Sequence, residues 1–252
     1  MHTTLKKVLF LGILIAIWEV IYKLQIWPSI LFPSPIQVGE TLYTGIIDGS
    51  FIIALGHSFK RLLIGYGLAL IIGTILGLII ASSKLMDETL GALVLALQSV
   101  PSIVWLPLAI LWFGMGESAI IFVVILGGTW NMVINASTGI KNVQPLLIKA
   151  AKTMGVKGYN LFFKVTIPAA IPHLITGMRL SWAFCWRALM AGELLGSGNG
   201  LGQILMWGRE MGNMSMVISI MIIIASLGSL TDSIIFKPLE DKVLERWGLS
   251  SK

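Results

Sequence analysis

Residues 62–81 read LLIGYGLALIIGTILGLIIA, a stretch without a single charged side chain. A helix needs about 20 mainly apolar residues to cross the hydrocarbon core of a membrane. This stretch predicts a spanning helix and decides the fold class, because polar backbone groups in lipid must be paired within helices or closed barrels. The whole chain agrees: 56% of its 252 residues are hydrophobic and only 12% are charged, whereas soluble domains hold about 25% charged residues.

Five further segments predict membrane spans, so we expect an all-α integral membrane protein with a bundle of six spans. The predicted spans cover residues 8–27, 62–81, 90–113, 118–137, 173–195 and 214–236. Pro101 and Pro107 should kink the third span, because proline removes a backbone donor. Short helices are expected at residues 36–47, after the turn at residues 32–35, and at 201–211, after the glycine-rich break 196–202.

The distribution of Lys and Arg predicts the orientation, since cytoplasmic loops carry an excess of both. With both termini in the cytoplasm, 13 of the 18 basic residues lie on that side. Lys60 and Arg61 would lie on the opposite side and fit this count poorly. The long polar loop 138–172 is then cytoplasmic. The net positive charge of the chain is explained by the excess of Lys and Arg in its cytoplasmic loops. The sequence has no basic cluster with stacking aromatics, which argues against nucleic-acid binding.

The loop 138–172 contains the motif that carries the function. Residues 149–155 read KAAKTMG, and Pro168 follows Gly155 by thirteen residues. We expect a short helix over residues 146–154, which Gly155 ends because glycine accepts the left-handed C-cap conformation. A second short helix over about 158–165 should stop before Pro168. Two such helices would form a rigid knob, although an ordinary amphipathic loop remains the alternative.

This loop resembles the EAA loop of ABC importer permeases, in which E-A-A-x-x-x-G precedes a hydrophobic residue and a proline. Ala150, Ala151, Gly155 and Pro168 match the pattern, and Lys149 stands where the family has glutamate. Other stretches between residues 33 and 247 are similar to the branch of the family that imports nitrate, sulfonates and taurine. They include residues 33–35, 98–101, 112–114, 177–180, 186–187, 193 and 200–202.

The resemblance implies the partners and the site. Residues 1–57 would be an N-terminal span with an extracytoplasmic connection, and residues 58–252 the permease core. Lys149, Ala150, Ala151, Gly155 and Pro168 would couple the chain to two ATPase subunits, which bind ATP and Mg²⁺; this chain would hold no cofactor. A solute-binding protein outside and a second permease copy, most simply an identical one, would complete an importer in the bacterial cytoplasmic (inner) membrane, surrounded by lipid.

Enzyme and metal chemistry find no support in the sequence. The phosphate-binding pattern GxxxxGK[ST] is missing. Cys185 is the lone cysteine, and the three histidines are far apart, so no metal site is expected. A secondary transporter would need inverted repeats and carboxylates at mid-membrane, which the sequence lacks. A membrane scaffold that transports nothing remains the other alternative.

Four polar residues within the spans are candidates for a translocation path: Arg187, Asn131, Asn135 and Glu193. Arg187 would attract an anion, or would pair with Glu193 or another carboxylate. The two asparagines share a helix face and offer hydrogen bonds to a pore or to another helix. Glu193 would cap an outer gate or a solvated helix end. Arg179 should snorkel to the membrane surface.

The second predicted span contains a pair of small residues, Gly73 and Gly77, at the spacing that lets helix backbones approach closely in lipid. The pair predicts either packing within the chain or a contact between subunits.

Overall fold

The computed structural model describes residues 2–196 and 198–247, with the backbone alone for residues 2–4. Lys252, which the charge count includes, and Ser197 of the glycine-rich break lie outside the described residues. All elements in the described ranges are helices. They are α1 (His2–Lys23), α2 (Pro35–Ile47), α3 (Ser50–Ser82), α4 (Lys84–Gln98), α5 (Ser102–Phe113), α6 (Glu117–Lys141), α7 (Pro145–Thr153), α8 (Gly158–Leu195), α9 (Leu201–Glu210) and α10 (Met214–Arg246).

Four of these helices are long and apolar enough to cross a membrane: α3, α6, α8 and α10. They contain the predicted spans 62–81, 118–137, 173–195 and 214–236, so those helices are confirmed. The predicted helices at 36–47 and 201–211 correspond to α2 and α9. Helix α2 begins where the sequence expects it, because Ser34 and Gln37 form a capping box that satisfies backbone donors on both sides.

The other two predicted spans are less regular. Helices α4 and α5 meet at a bend of 92°, so they form either one broken span or a re-entrant loop. Pro101 lies at the break, whereas Pro107 lies in the first turn of a regular helical segment, where it is tolerated. Helix α1 contains four charged residues and does not qualify as a span on composition. The count of six spans stays a prediction.

By contact density the described residues divide into two units, one comprising 2–58 with 198–226 and the other 59–196 with 227–247. In the first unit, the hydroxyl of Ser58 accepts a hydrogen bond from the Leu201 N–H at 2.9 Å and so fixes the start of α9. The hydroxyl of Ser219 donates to the Val38 carbonyl at 3.2 Å. The predicted division at residues 57 and 58 stays a prediction.

In the second unit, α6 is the central helix: 61% of its most apolar window is buried, against 28% for α3 and α8. Glycines let its neighbours approach. A Cβ added to Gly77 of α3 would lie 2.6 Å from the Cβ of Ala136 on α6. A Cβ added to Gly128 of α6 would lie 2.3 Å from the Sγ of Cys185 on α8. Such close approach supplies the dispersion contacts that hold helices together in lipid.

The pair Gly73 and Gly77 therefore packs within the chain. A Cβ at Gly73 would meet Met132 of α6 at 2.6 Å. Of the two predictions for this pair, packing within the chain is confirmed.

One predicted boundary is wrong. The second short helix of the loop does not stop before Pro168 but continues as α8 to Leu195, a helix of 38 residues. Its backbone widens into a π-helical turn at Phe162–Thr166, and Pro168 follows in the first turn of the next α-helical stretch. Proline is compatible with that position, because a missing N–H costs no regular helical bond there.

Candidate functional site

Gly155 ends helix α7 as the sequence predicts. Its φ is +85°, in the left-handed region that glycine adopts without steric cost. The Gly155 N–H donates to the Lys152 carbonyl at 3.1 Å, and the Val156 N–H donates to the Ala151 carbonyl at 3.0 Å. This pair of bonds is the Schellman motif, which satisfies the last carbonyls of the helix. Gly158 also has a positive φ, +56°, so the turn contains two left-handed glycines.

The residues that are predicted to contact the ATPase differ in their surroundings. Lys149, Ala150 and Gly155 are exposed, and a Cβ added to Gly155 would meet nothing within 4 Å. Ala151 is 8% exposed and packs against its own chain, so the two alanines do not share one outer face. Pro168 is half-buried within α8. Their role in coupling stays a prediction.

Exposed apolar side chains surround this turn, and none of them is among the residues that the sequence predicts for the site. Leu146 is 73% exposed, Met154 79% and Tyr159 75%. The rings of Tyr159 and Phe163 lie 4.2 Å apart between centroids. We call Leu146, Met154, Tyr159 and Phe163 the loop's apolar surface. A sequence signal existed, since these large apolar residues stand among lysines in a segment too short to span a membrane.

A buried ion pair joins α3 and α8. The guanidinium of Arg61 donates from Nη1 to Oε1 of Glu193 at 2.8 Å, and from Nη2 to Oε1 of Glu117 at 3.3 Å. The side chains of Arg61 and Glu193 are 2% and 0% exposed. Lys60 approaches Oε2 of Glu117 at 3.5 Å, so two bases and two acids form one cluster. Pairing explains why Arg61 fits the charge count poorly: it is buried and is not a surface charge.

Glu193 is thus not at a solvated helix end. The alternative that Arg187 pairs with Glu193 is wrong as well, because the acid binds Arg61 across 132 residues of sequence. No local pattern reports a partner so distant.

Arg187 points away from the interior of the chain and is exposed. Its guanidinium carbon lies 5.1 Å from the centre of the Phe184 ring, one turn earlier on α8, a cation–π contact. Within the part of the chain that the structure describes, no carboxylate pairs with it. A charge on a membrane-spanning helix is costly against lipid and normally faces a cavity or another helix.

Asn131 and Asn135 lie where α6 meets neighbouring helices. Asn131 is buried and accepts a hydrogen bond at 3.5 Å from the amide of Gln98 on α4. Asn135 donates to the Asn131 carbonyl at 2.8 Å, and its Cβ would lie 2.7 Å from a Cβ added to Gly177 of α8. Of the two alternatives, hydrogen bonding between helices describes Asn131, whereas a role of either residue in a pore stays a prediction.

Arg179 does not snorkel as predicted. Its guanidinium binds both carboxylate oxygens of Asp232 on α10, at 2.6 and 2.7 Å, and also contacts Glu240. Glu240 accepts a further hydrogen bond from the Thr176 hydroxyl at 2.8 Å. Bidentate geometry of this kind fixes orientation as well as adding energy. These ion pairs fasten α8 to α10. No pattern among neighbouring residues predicts them, because the partners are far apart in the sequence.

Residues 69–237 match the family model described as the binding-protein-dependent transport system inner membrane component. A Bacillus subtilis protein named as an aliphatic sulfonates transport permease is 33% identical over 96% of this chain and 87% of its own. The nitrate import permease protein of a Synechocystis strain is 28% identical over 89% of this chain and 84% of its own.

The fold also has a relative among solved structures. A chain of the MetNI methionine ABC transporter in an inward-facing conformation aligns with a TM-score of 0.67. The alignment covers 80% of this chain and 97% of the other, at 18% identity. At that identity the likeness shows the fold alone.

Proposed function

We propose, from the premise that the chain belongs to the family of inner-membrane components of binding-protein-dependent transport systems, that it forms the membrane pathway of an ATP-driven importer. The observation that carries the proposal is the match over residues 69–237, which takes in the central helix α6 and the loop 138–172. The sequence lacks a phosphate-binding loop, so ATP and Mg²⁺ belong to a separate ATPase subunit.

The solute is a small anion. Relatives are named for aliphatic sulfonates and for nitrate, both anionic. Arg187 places an exposed positive charge on a spanning helix, and from residue 118 to residue 192 the sequence contains no Asp or Glu. A path lined by such segments concentrates anions electrostatically. Arg187 contributes the charge, and Asn131 and Asn135 lie on a neighbouring helix.

The chain crosses the membrane six times with both termini in the cytoplasm. The support is the count of basic residues together with four helices of sufficient length and the bent pair α4–α5. Helix α1 supplies the remaining span, with its charged residues near its two ends. The loop 138–172 then faces the cytoplasm.

Two ATPase subunits bind at this loop, one on each of two permease copies. The loop's apolar surface offers Met154 and Tyr159, which are more than two-thirds exposed and would be unfavourable in water without a partner. Gly155 holds α7 and the start of α8 at a fixed angle. A solute-binding protein delivers the anion on the outer side.

Helix α8 transmits the movement of the loop. It is continuous from Gly158 to Leu195, about 55 Å at 1.5 Å per residue. One end belongs to the loop and the other holds Glu193, the partner of Arg61. Closure of the ATPases would move the loop, and a continuous helix would carry the displacement to that ion pair. ATP binding thereby stabilises one of two conformers, and hydrolysis restores the other.

Reconstitution tests the function. The tagged chain is co-expressed with the ATPase and the solute-binding protein of its transport system, purified, and placed in vesicles. We expect the ATPase to co-purify and uptake of nitrate or a short aliphatic sulfonate to require ATP. A chain that purifies without an ATPase and drives uptake from an ion gradient is a secondary transporter, and one that takes up nothing is a scaffold. Either result contradicts the proposal.

A further inference from the structure

A cavity of about 400 Å³ lies beside the start of helix α7. Its wall comes from the end of α6, the linker 142–144, the first turns of α7, residues 169–173 of α8 and Trp247. Small-molecule sites in proteins occupy about 300–1,000 Å³, so the space accepts a small solute. It is separate from the exposed apolar surface of the loop, and none of the residues assigned to the pathway lines it.

Three polar side chains converge on this cavity: Asn142, Gln144 and His173. Among the described residues, none of the three side chains takes part in a hydrogen bond within the chain. Gln144 precedes α7 at the N-cap position, yet its side chain does not cap the helix. Amide and imidazole N–H groups remain available to donate to acceptor oxygens. The apolar part of the wall beside these donors comes from the indole of Trp247 and the side chain of Leu147.

The electrostatic surroundings favour an anion. The segments 139–147 and 169–173, which supply the wall apart from Trp247, belong to a stretch without Asp or Glu from residue 118 to residue 192. The same stretch carries Lys149 and Lys152 on α7. Glu240 of α10 approaches α8 at Thr176, but Arg179 pairs with its carboxylate. The positive field of the lysines therefore raises the local concentration of anions.

We propose that this cavity binds a small organic anion, a sulfonate or carboxylate with a short apolar body. Its oxygens accept hydrogen bonds from Gln144, Asn142 and His173, and its hydrocarbon part packs on Trp247 and Leu147. The bound anion ties the linker before α7 to α8, because its donors come from both sides of the cavity.

A consequence for transport rests on the proposed function. In the proposed orientation the cavity opens to the cytoplasm, where imported solute accumulates. An anion that ties α7 to α8 stabilises the loop position of one transporter conformer more than that of the other conformer. Such differential stabilisation shifts a two-state equilibrium. The imported solute would thus slow its own uptake from the inside, at a site separate from the pathway.

Binding is measured on the full chain by fluorine NMR. The nine tryptophans are replaced biosynthetically by 5-fluorotryptophan, and Trp247→Phe assigns the signal of Trp247. The protein is placed in phosphatidylcholine nanodiscs and titrated with sodium propanesulfonate, with sodium chloride at matched ionic strength as reference. We expect a saturable shift of the Trp247 signal with propanesulfonate alone.

Variants locate the site. Gln144→Leu and His173→Leu each remove a donor, and each should weaken binding about tenfold, the value of one hydrogen bond to a charged group. His173→Gln restores a donor and should recover most of the affinity. Asn160→Leu removes an exposed amide of the same loop outside the cavity and should bind as the unmodified chain does. An unchanged Trp247 signal, or equal weakening by Asn160→Leu, would overturn the site.

Two further arms separate the alternatives. A shift that appears without added anion when phosphatidylglycerol replaces phosphatidylcholine, and that propanesulfonate does not reproduce, identifies a lipid head group and overturns the proposal. In vesicles with the ATPase and binding protein, trapped propanesulfonate should lower ATP-driven uptake at least about threefold, and Gln144→Leu should relieve the effect. Loss of uptake in vesicles without trapped anion would count against the proposed function and not against the cavity, whose binding is measured independently. Binding without inhibition would overturn the regulatory consequence.

Discussion

The guanidinium of Arg61 and the carboxylate of Glu193 form a hydrogen-bonded ion pair at 2.8 Å, with both side chains shielded from solvent. The pair connects α3 to the far end of the helix that begins in the 138–172 loop. Removing one member of such a pair leaves an uncompensated buried charge, which costs much more than the pair itself contributes.

We therefore expect Arg61→Met and Glu193→Leu, made singly, each to lower the free energy of unfolding by about 3–5 kcal/mol. The double variant should be more stable than either single variant, because both buried charges are then gone and the exposed Glu117 keeps Lys60 as a partner. Thermal unfolding in detergent, followed by circular dichroism, ranks the unmodified chain, the two single variants and the double variant by their unfolding midpoints. Lys23→Gln breaks the exposed pair between Lys23 and Glu19 and should leave the midpoint unchanged. If the double variant loses as much unfolding free energy as the two single variants together, Arg61 and Glu193 do not stabilise the fold as a pair.

The cap at Gly155 gives a second prediction, about coupling. Gly155→Val forces a β-branched residue into a left-handed conformation, at a cost of about 1–2 kcal/mol, or about 5- to 30-fold in an equilibrium. Gly155→Asn adds a side chain of similar size but tolerates that conformation. We expect the valine variant to remain in the membrane yet lose most ATPase co-purification and ATP-driven uptake, whereas the asparagine variant retains both.

Gly158 would be a poor control for these variants, because it also has a positive φ. Equal loss in both Gly155 variants would mean that the partner excludes any side chain, so backbone conformation would not be the cause. Full activity of the valine variant would remove the loop from coupling.

The sequence predicts features that depend on neighbours along the chain. Gly155 could be placed correctly, because a C-cap is formed by residues within one turn. The end of the next helix could not, since it depends on the π-helical turn before Pro168, which has no sequence signature. The partners of Arg61 and Arg179 lie 132 and 53 residues away. Only the packing of α3, α8 and α10 brings them together, so a single sequence does not contain that information in readable form.

Close packing of α6 on α8 gives a third prediction. Gly128→Ala would place a Cβ 2.3 Å from the Sγ of Cys185, and overpacking of this kind costs about 1–3 kcal/mol. Cys185→Ala removes that sulfur and should recover part of the loss in the double variant. Gly67→Ala, where a Cβ meets nothing within 4 Å, should be neutral or slightly stabilising. Size-exclusion chromatography after heating measures how much of each protein stays monodisperse. An equal loss in Gly128→Ala and Gly67→Ala would contradict the packing.

Orientation is tested by labelling single cysteines in intact cells. Cys185 is the one cysteine of the sequence and is buried, so Cys185→Ala provides a clean background. Lys157→Cys should resist a membrane-impermeant maleimide from outside, and Met211→Cys should react. Met211 is 76% exposed and precedes α10, so the maleimide can reach a cysteine at this position from the outer side. Reaction of both from one side would overturn the proposed topology.

Arg187 gives the prediction that bears most directly on transport. An exposed arginine on a spanning helix costs about 2.5–3.5 kcal/mol against lipid, so its retention requires a polar surrounding that the described residues of one chain do not supply. If that surrounding is an anion path, Arg187→Lys keeps the charge and should retain part of the uptake, and Arg187→Ala should lose most of it. Assembly with the ATPase should be unchanged in both. Uptake and ATPase retention are measured on the same vesicles.

Two matched variants separate charge from packing at Arg187. Phe184→Leu removes the cation–π contact but not the charge, and it should leave uptake within about fivefold, since such contacts contribute about 0.5–1 kcal/mol. Arg209→Ala removes an exposed arginine outside the candidate spans and should have no effect. If Arg187→Ala abolishes assembly, the residue holds subunits together and does not serve the path. If Arg187→Ala transports normally, it has neither role, and the anion must be attracted by groups elsewhere along the bundle.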